Sequence, residues 1–279
     1  MPLSCPMVLA RFLALSTIAS GLFATLGAWA IPAAEPDPVA LRFEVFGFAG
    51  FHVLTNRTSV ATSGDRYAIQ MDLDTRGIAS VFVDLTSHSE VRGSLTRDAV
   101  RPDAYHGDVR RNGSDRHYRM DNGADGAVAA DTTPPSPALQ NPAAANQIRG
   151  TVDQLTAFFI LERQLALHST CALVVPVFDG RNRYNIRFTD AGPETLAPDG
   201  RQHFSGPTQV CNVIHEDVPG FPTDQAEGTY RRGKIWYARL TGGNAQMVPV
   251  RMEFDTEFGK VEGYLAEMRG GGVDLHFMD

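Results

Sequence analysis

The feature that most constrains the fold of this chain is a series of short segments in which apolar and polar residues alternate. In "RYAIQMDLD", Tyr67, Ile69, Met71 and Leu73 alternate with small or polar residues. This period of two is typical of a β-strand with one buried face. "LRFEVF", "TQVCNVIHEDV", "KIWYARL", "MVPVRMEFDT" and "GKVEGYLAEM" are further strand-length segments, with turn sequences between or just after several of them. Strands at this spacing indicate an antiparallel barrel or a curled sheet.

One segment, residues 151–170, breaks this pattern and predicts a helix. Thr151 with Gln154 fits a capping box at its start. Glu162 is the only polar residue on its apolar flank. That flank is otherwise formed by Leu155, Phe158, Phe159 and Leu165. Such a flank must pack on something, most simply the sheet. The fold class predicted from the sequence is therefore mainly β: a curled antiparallel sheet or partly open β-barrel packed on one central α-helix.

Three stretches carry weaker patterns. "IASVFVDLTSHSEVRGSL" predicts one or two strands with Val81, Val83 and Leu85 on one side. Residues 92–119 are polar and crowded with Arg and Asp, so only short strands are expected there. Residues 122–147 are rich in Ala, Pro and Gly without periodicity, and we predict a flexible loop within the domain.

The stretch "FDGRNRY" lies between two apolar runs and could be either a catalytic loop or a turn. Asp-Gly between alternating segments is a strong hairpin signal. We therefore interpret Asp179 and Gly180 as turn residues, chosen for backbone geometry and not for catalysis.

The first thirty residues predict a secretory signal peptide. Arg11 is their only charge, an apolar stretch follows it, and Ala28-Trp29-Ala30 has the small-x-small pattern of a cleavage site. A membrane anchor is the alternative, but the apolar stretch is short for a span of about 20 residues. We expect a mature, periplasmic chain of residues 31–279 that folds as a single mainly-β domain, with no membrane span after the signal is removed.

Composition and cysteine content narrow the partners and the compartment. The formal net charge of −7 argues against a nucleic-acid partner, because phosphate binding relies on a basic surface. Two cysteines, Cys171 and Cys211, remain after the signal. In an oxidising compartment an even pair predicts a disulfide bond.

Common catalytic and metal motifs are missing from the sequence, and no cofactor is predicted. There is no G-x-S-x-G, no H-E-x-x-H and no C-x-x-C. His88, His215 and Glu216 remain as candidates for a functional site assembled from separated residues. A metal at either histidine is less expected than a solvated strand end.

Several stretches together resemble an uncharacterised family of exported bacterial proteins, domain of unknown function 3108. The resemblance rests on "GDRYAI", "RPDAY", "TVDQLTAFF", "PVFDGRNRY", "VCNV" and the closing "IWYAR" to "FGKVEGYL" region, and it spans residues 40–268. It implies an exported protein with a curled antiparallel sheet packed on a helix, similar to periplasmic lipoprotein carriers and related envelope proteins. The family carries no assigned activity, and fold analogy does not establish function.

Three hypotheses for function follow. The first is a non-enzymatic cell-envelope protein whose concave apolar face binds a lipid, another apolar ligand or a protein segment, suggested by aromatic residues expected to point inward. These are Phe43, Tyr67, Tyr184, Phe188, Trp236 and Phe254. The second is a periplasmic hydrolase that uses His88, His215 and Glu216. The third is a scaffold that binds an envelope protein through an open sheet edge or the 122–147 loop. An outer-membrane barrel is disfavoured because a long helix interrupts the strands.

Overall fold

A computed structural model describes residues 38–47, 50–77, 79–136, 146–218, 231–240, 246–256 and 259–278. The predicted signal peptide, residues 1–30, lies outside this part of the chain. Within it, no helix is both long and apolar enough to cross a membrane.

The described residues form fourteen strands, a four-residue helix and one long helix. The helices are α1 (Ala79–Phe82) and α2 (Gln154–His168). The strands are β1 (Val39–Phe46), β2 (His52–Ser63), β3 (Arg66–Thr75), β4 (Leu85–Leu95), β5 (Val100–Arg111), β6 (Ser114–Asn122), β7 (Val128–Thr133), β8 (Leu173–Phe178), β9 (Arg183–Leu196), β10 (Gly206–Asp217), β11 (Arg232–Leu240), β12 (Gln246–Thr256), β13 (Gly259–Gly270) and β14 (Val273–His276).

All fourteen strands belong to one antiparallel sheet. Its order is β7-β6-β5-β4-β3-β2-β1-β13-β12-β11-β10-β9-β8, with β14 added beside β13. Two meanders, β1–β7 and β8–β13, are therefore joined by the pairing of β1 with β13, in which Phe43 lies opposite Leu265. The sheet is not closed, since β7 and β8 are the two ends of the path. The predicted fold class, a curled antiparallel sheet with one long helix, is confirmed.

Helix α2 packs between the inner faces of the two meanders. Leu155 and Phe159 contact Tyr67 and neighbouring residues of the first meander. On the other side, the helix contributes to a larger cluster with the second meander, formed by Ala157, Leu161, Leu165, Cys171, Val175, Val177, Tyr184, Ile186, Phe188, Cys211, Val213, Ile235, Tyr237 and Met247. The position of a side chain around the helix axis thus determines which of the two meanders it contacts.

Buried polar contacts fix the start of α2. Asp153, not the predicted Thr151, is the N-cap residue: its carboxylate accepts hydrogen bonds from the Thr156 backbone N–H (2.9 Å) and hydroxyl (2.6 Å). Asp is among the strongest N-cap residues because its side chain satisfies a free helical N–H. Thr151 instead donates to the Ile148 carbonyl. The Thr156 hydroxyl also lies 2.8 Å from the Tyr67 hydroxyl, which links the helix to β3.

The segment just before α2 covers the gap between the two end strands. Val152 forms an isolated parallel bridge with Val177 of β8. On the β7 side, the Gly150 N–H donates to the Gly126 carbonyl at 2.8 Å, and Ile148 is buried with Met120. An unpaired sheet edge is prone to wrong pairing, and this segment protects the edge of β8.

Three weakly patterned stretches differ from their predictions. Residues 79–82 form helix α1, with Val81 exposed, where a strand was predicted. Residues 100–122 form two long strands, β5 and β6, and not short ones. Within the predicted loop 122–147, Val128–Thr133 form strand β7, because Val128, Ala130 and Thr132 alternate toward the inner face opposite β6. Residues 137–145 of that loop lie outside the described residues.

A second cluster of apolar residues covers part of the face of β10–β12 that points away from α2. Trp236 was predicted to point inward, but it packs in a cluster with Leu196 and Phe204, and its indole N–H donates to Glu194 at 2.8 Å. Val210 lies beside it on β10. Strands buried on both faces lose the clean alternation that an open sheet shows, which explains the error.

The predicted disulfide bond between Cys171 and Cys211 is present, and it joins the segment after α2 to β10. Both cysteines are buried in the cluster around the helix. The bond closes a loop across a sequence separation of 40 residues.

We expect that breaking this disulfide lowers the free energy of unfolding by about 4 kcal/mol, since the cross-link restricts the unfolded chain. Urea denaturation of the oxidised protein, of the reduced protein and of a Cys171→Ala/Cys211→Ala variant measures this. Reductant should leave the double variant unchanged. An identical midpoint for oxidised and reduced wild type would contradict the prediction.

Candidate functional site

The inner face of the first meander is only partly covered. Thr58 pairs with Met71, and Leu73 pairs with Asn56 and with Ser87. Because directly paired residues share a face, these side chains point to the same side as the buried Ile69, two residues before Met71. Ile69 packs in the cluster with the helix. Farther along the strands, several inward residues are half-buried: Asn56, Thr58, Met71, Leu73, Ser87 and Val109.

The second meander differs, because α2 fills its inner face. Val177, Ile186 and Val213 are fully buried against the helix cluster. The helix thus packs closely on one side and leaves a concave surface of mixed apolar and polar side chains on the other. We call the concave surface formed by these half-buried inward residues of β2–β5 the inner hollow.

Glu162 lies in the middle of α2, next to Arg163, whose side chain donates to the Thr96 and Arg97 carbonyls in the β4–β5 turn. At 100° per residue, it lies between the row that contacts the first meander (Leu155, Phe159) and the row that contacts the second (Leu161, Leu165). Leu167, on the opposite side of the helix, is 52% exposed. Glu162 therefore faces the space between the two meanders and not the outside.

The surroundings of Glu162 are unusual for a carboxyl group. Its side chain is half-buried, yet burial raises its pKa to about 8. Burial is the sole cause of this shift. Among the residues that the structure describes, none forms a hydrogen bond or an ion pair with it. Desolvation disfavours the charged form, and no neighbouring cation offsets the effect.

A polar group lies at the end of the second meander. His215 pairs with Ile186 and so points to the inner face. Its ring stacks on that of Tyr184, with centroids 4.1 Å apart, and its Nε2 lies 3.2 Å from Asp217 Oδ1. Arg231 donates to the other oxygen of Asp217 at 3.3 Å. Burial lowers the pKa of His215, while Asp217 acts in the opposite direction.

Asp179 is a turn residue, as predicted. Its Oδ1 accepts hydrogen bonds from the backbone N–H groups of Arg181 (2.8 Å) and Asn182 (2.7 Å). Gly180 has a φ of +93°, a conformation that glycine adopts without steric cost. Burial raises the pKa of Asp179, and the two backbone N–H groups oppose the increase.

The three candidate residues from the sequence do not come together. His88 pairs with Asp72 between β4 and β3, on the outer face, at 2.7 Å. Glu216 follows His215 on β10 but points the other way, where its carboxylate accepts two hydrogen bonds from Arg187. Only His215 faces inward. Sequence reasoning missed Glu162 as a group with a raised pKa, although its position as the one polar residue on an apolar flank was the signal.

The outer face of β4–β6 holds further histidines. Asp108 lies between His106 (2.9 Å) and His117 (2.5 Å), and hydrogen bonds from His117 and His106 lower its pKa. Over the described ranges, no group of three or more His, Cys, Asp or Glu side chains has the arrangement of a metal site.

Comparison with known proteins supports a family and a fold. The model of a family described as "Protein of unknown function (DUF3108)" matches residues 42–266. No curated protein matches the chain. Among solved structures, the chain is similar to a β-barrel-like protein of domain of unknown function DUF1849 from Brucella abortus. The TM-score is 0.50 at 12% identity, over 85% of this chain and 99% of the other. That similarity concerns the fold alone.

The raised pKa of Glu162 predicts a pH dependence of stability. The folded-state pKa of about 8 exceeds the ordinary value of 4.5, so the folded protein binds an extra proton between these values. Relative to a Glu162→Gln variant, wild type should therefore lose stability as pH rises from about 4.5 to about 8, by at most about 1.4 kcal/mol per pH unit, and change little above.

Urea denaturation of both proteins at pH 5, 7 and 9 measures the difference. A Glu216→Gln variant, altered in an outer-face ion pair, is the matched control and should not show this dependence. Parallel stability curves for wild type and Glu162→Gln would contradict the raised pKa of this half-buried, unpaired carboxyl group.

Proposed function

The chain belongs to the DUF3108 family of proteins of unknown function, and we propose that it is a non-enzymatic, periplasmic cell-envelope protein that binds an apolar or amphiphilic molecule in the inner hollow. The observation that carries this proposal is the contrast between the two meanders. Val177, Ile186 and Val213 of the second are fully buried, whereas Met71, Leu73 and Val109 of the first are half-buried.

An incompletely covered apolar surface inside a curled sheet favours ligand binding. Leaving Met71, Leu73 and Val109 in contact with water forgoes stabilisation of roughly 25 cal/mol for each Å² of apolar surface. A bound alkyl chain recovers that free energy. Small polar side chains at the same surface, Asn56 and Ser87, offer hydrogen bonds that orient a polar group of the ligand.

One sequence feature and one structural feature support the proposed periplasmic location. The N-terminal thirty residues have the composition and the A-x-A pattern of a secretory signal. The disulfide bond between Cys171 and Cys211 suits an oxidising compartment such as the periplasm.

The geometry gives less support to the other two hypotheses. A hydrolase built on His88, His215 and Glu216 would need side chains that lie on opposite faces of the sheet to meet. A scaffold of this kind would bind a partner through an unpaired edge strand. Part of the β8 edge is already paired, because Val152 forms a bridge with Val177. The inner hollow is therefore the better starting point for experiments.

Filling the inner hollow should weaken ligand binding. In a Met71→Trp variant, the larger side chain occupies the space that a ligand would take, and we expect the affinity for a fluorescent acyl probe, dansylundecanoic acid, to fall by about tenfold or more. The matched control is Gln70→Trp, which adds the same indole to the adjacent, exposed position on the outer face. It should bind like wild type.

Native mass spectrometry of the protein from its own periplasm tests the same proposal without a chosen probe. A noncovalent adduct that is lost on denaturation is the expected result. Thermal melts check that both tryptophan variants fold. The proposed function would be overturned if the native mass shows no adduct and folded wild type does not bind the probe. Equal probe binding by the Met71→Trp and Gln70→Trp variants would show that the ligand binds at another site.

A further inference from the structure

A cavity of about 270 Å³ lies at the C-terminal end of α2, between the helix and strands β10–β12. Its walls come from the end of the helix at Leu165 and Ser169, from the start of β10, and from the facing parts of β11 and β12. None of the half-buried residues of β2–β5 that form the inner hollow lines it. The cavity is therefore a separate place on the molecule, built by the helix and the second meander.

Strand register directs Arg239, one of the lining residues, toward this cavity. Arg239 pairs with Met247 of β12 and follows Tyr237 by two residues, so these three side chains share one face of the sheet. Tyr237 and Met247 belong to the buried cluster around α2, which makes that face the inner one. Among the described residues that line the cavity, Arg239 is the only charged one.

The floor of the cavity, formed by Leu165, Tyr237 and Met247, is apolar. Leu165 is fully buried, Tyr237 is 1% exposed and Met247 is 9% exposed. The lining thus places a guanidinium group beside buried apolar and aromatic side chains. An apolar surface with few polar groups is typical of sites that bind small organic molecules.

The polar groups that line the cavity differ in what they already bind. The Thr208 hydroxyl donates to the Glu194 carbonyl at 2.7 Å, and the Gln209 side-chain amide donates to Asp190 at 3.3 Å. Arg239 is exposed. Within the part of the chain that the structure describes, no acidic side chain or carbonyl group pairs with its guanidinium. Its N–H donors are therefore available to a molecule in the cavity.

Two other arginines of the second meander do have acidic partners. Arg187 of β9 donates twice to Glu216, and Arg251 of β12 pairs with Glu253. Both lie on the outer face of the sheet, where charged side chains neutralise one another. Arg239 differs from both because it faces inward and has no such partner among the described residues. A ligand that supplies the missing negative charge would complete the site.

We propose that this cavity binds a small carboxylate with an apolar body, and that Arg239 pairs with the carboxylate while the apolar body covers the floor. The planar guanidinium matches the two oxygens of a carboxylate through two parallel hydrogen bonds. The free carbonyl groups at the end of α2 carry a partial negative charge, so the carboxylate lies on the β11 side of the cavity. A cationic ligand would be repelled by Arg239.

The volume of the cavity limits the size of this ligand. Pockets for drug-sized ligands measure roughly 300–1,000 Å³, and this cavity, at about 270 Å³, is smaller. We expect it to accept a carboxylate with one ring or a short alkyl chain and to exclude a long acyl chain. The inference thus goes beyond the proposed function and does not depend on it.

The test compares two probes with the same apolar body, phenylbutyrate and phenylbutanol, by NMR titration of the folded protein at pH 7. Wild type should bind phenylbutyrate about tenfold or more tightly than phenylbutanol. Arg239→Gln should bind phenylbutanol normally and show no preference for the carboxylate, because the positive charge is removed. Arg239→Lys should keep part of the preference, since lysine retains the charge but not the planar fork.

Two control variants locate the effect. Arg232→Gln makes the same change on the same strand, but Arg232 precedes the inward Ile235 by three residues and so points to the outer face. Met71→Trp fills the inner hollow and leaves this cavity unchanged. Both should bind phenylbutyrate like wild type, and thermal melts check that every variant folds.

Equal affinity of wild type for the two probes, an undiminished preference in Arg239→Gln, or loss of phenylbutyrate binding in Met71→Trp would each overturn the inference. Failure of folded wild type to bind phenylbutyrate would overturn it as well. None of these results counts against the proposed function, which is tested separately by the binding of dansylundecanoic acid.

Discussion

The pairing of β1 with β13 is the interaction on which the rest of the structure depends. It joins two meanders from opposite ends of the described chain into one continuous sheet. Without it, neither meander would have the other as the far wall of a shared interior, and helix α2 would have only one surface to pack on. Such long-range pairing forms late and slowly, because the entropy of closing a long loop precedes any gain from the contacts.

The position of α2 between the two meanders determines which part of the inner surface stays uncovered. The helix lies against the second meander, where the cluster around Cys171 and Val213 is fully buried. It touches the first meander mainly near Tyr67 and Phe159, whose rings stack at 5.1 Å. A helix centred between the two walls would have left two narrow gaps. Its asymmetric position leaves the half-buried inward residues on β2–β5.

The sequence predicted the fold best where strands must bury one face. The alternation around Ile69 was sufficient to predict a strand, and the Asp179-Gly180 pair was sufficient to predict a turn. Burial and turn geometry each require particular residue types. The lengths of strands β5 and β6 were underestimated for a physical reason. Their outer face is charged and part of their inner face borders the hollow, so few of their residues need to be apolar. A weak strand pattern and an uncovered interior thus have the same origin.

The candidate site was less accessible to sequence reasoning. His88 and Glu216 attracted attention as residue types with catalytic potential, but strand register directs both to the outer face, and one sequence does not reveal register. Glu162 was visible as an exception on an apolar flank. Its place between the rows that contact the two meanders became clear only from the packing of the helix.

Helix α2 is fastened at both of its ends. Before it, Val152 bridges to Val177, and after it the Cys171–Cys211 bond ties the chain to β10. The same wall of the sheet holds both attachments, so the helix cannot swing away from the second meander while they persist. The second meander and α2 thus form one cross-linked unit within the sheet.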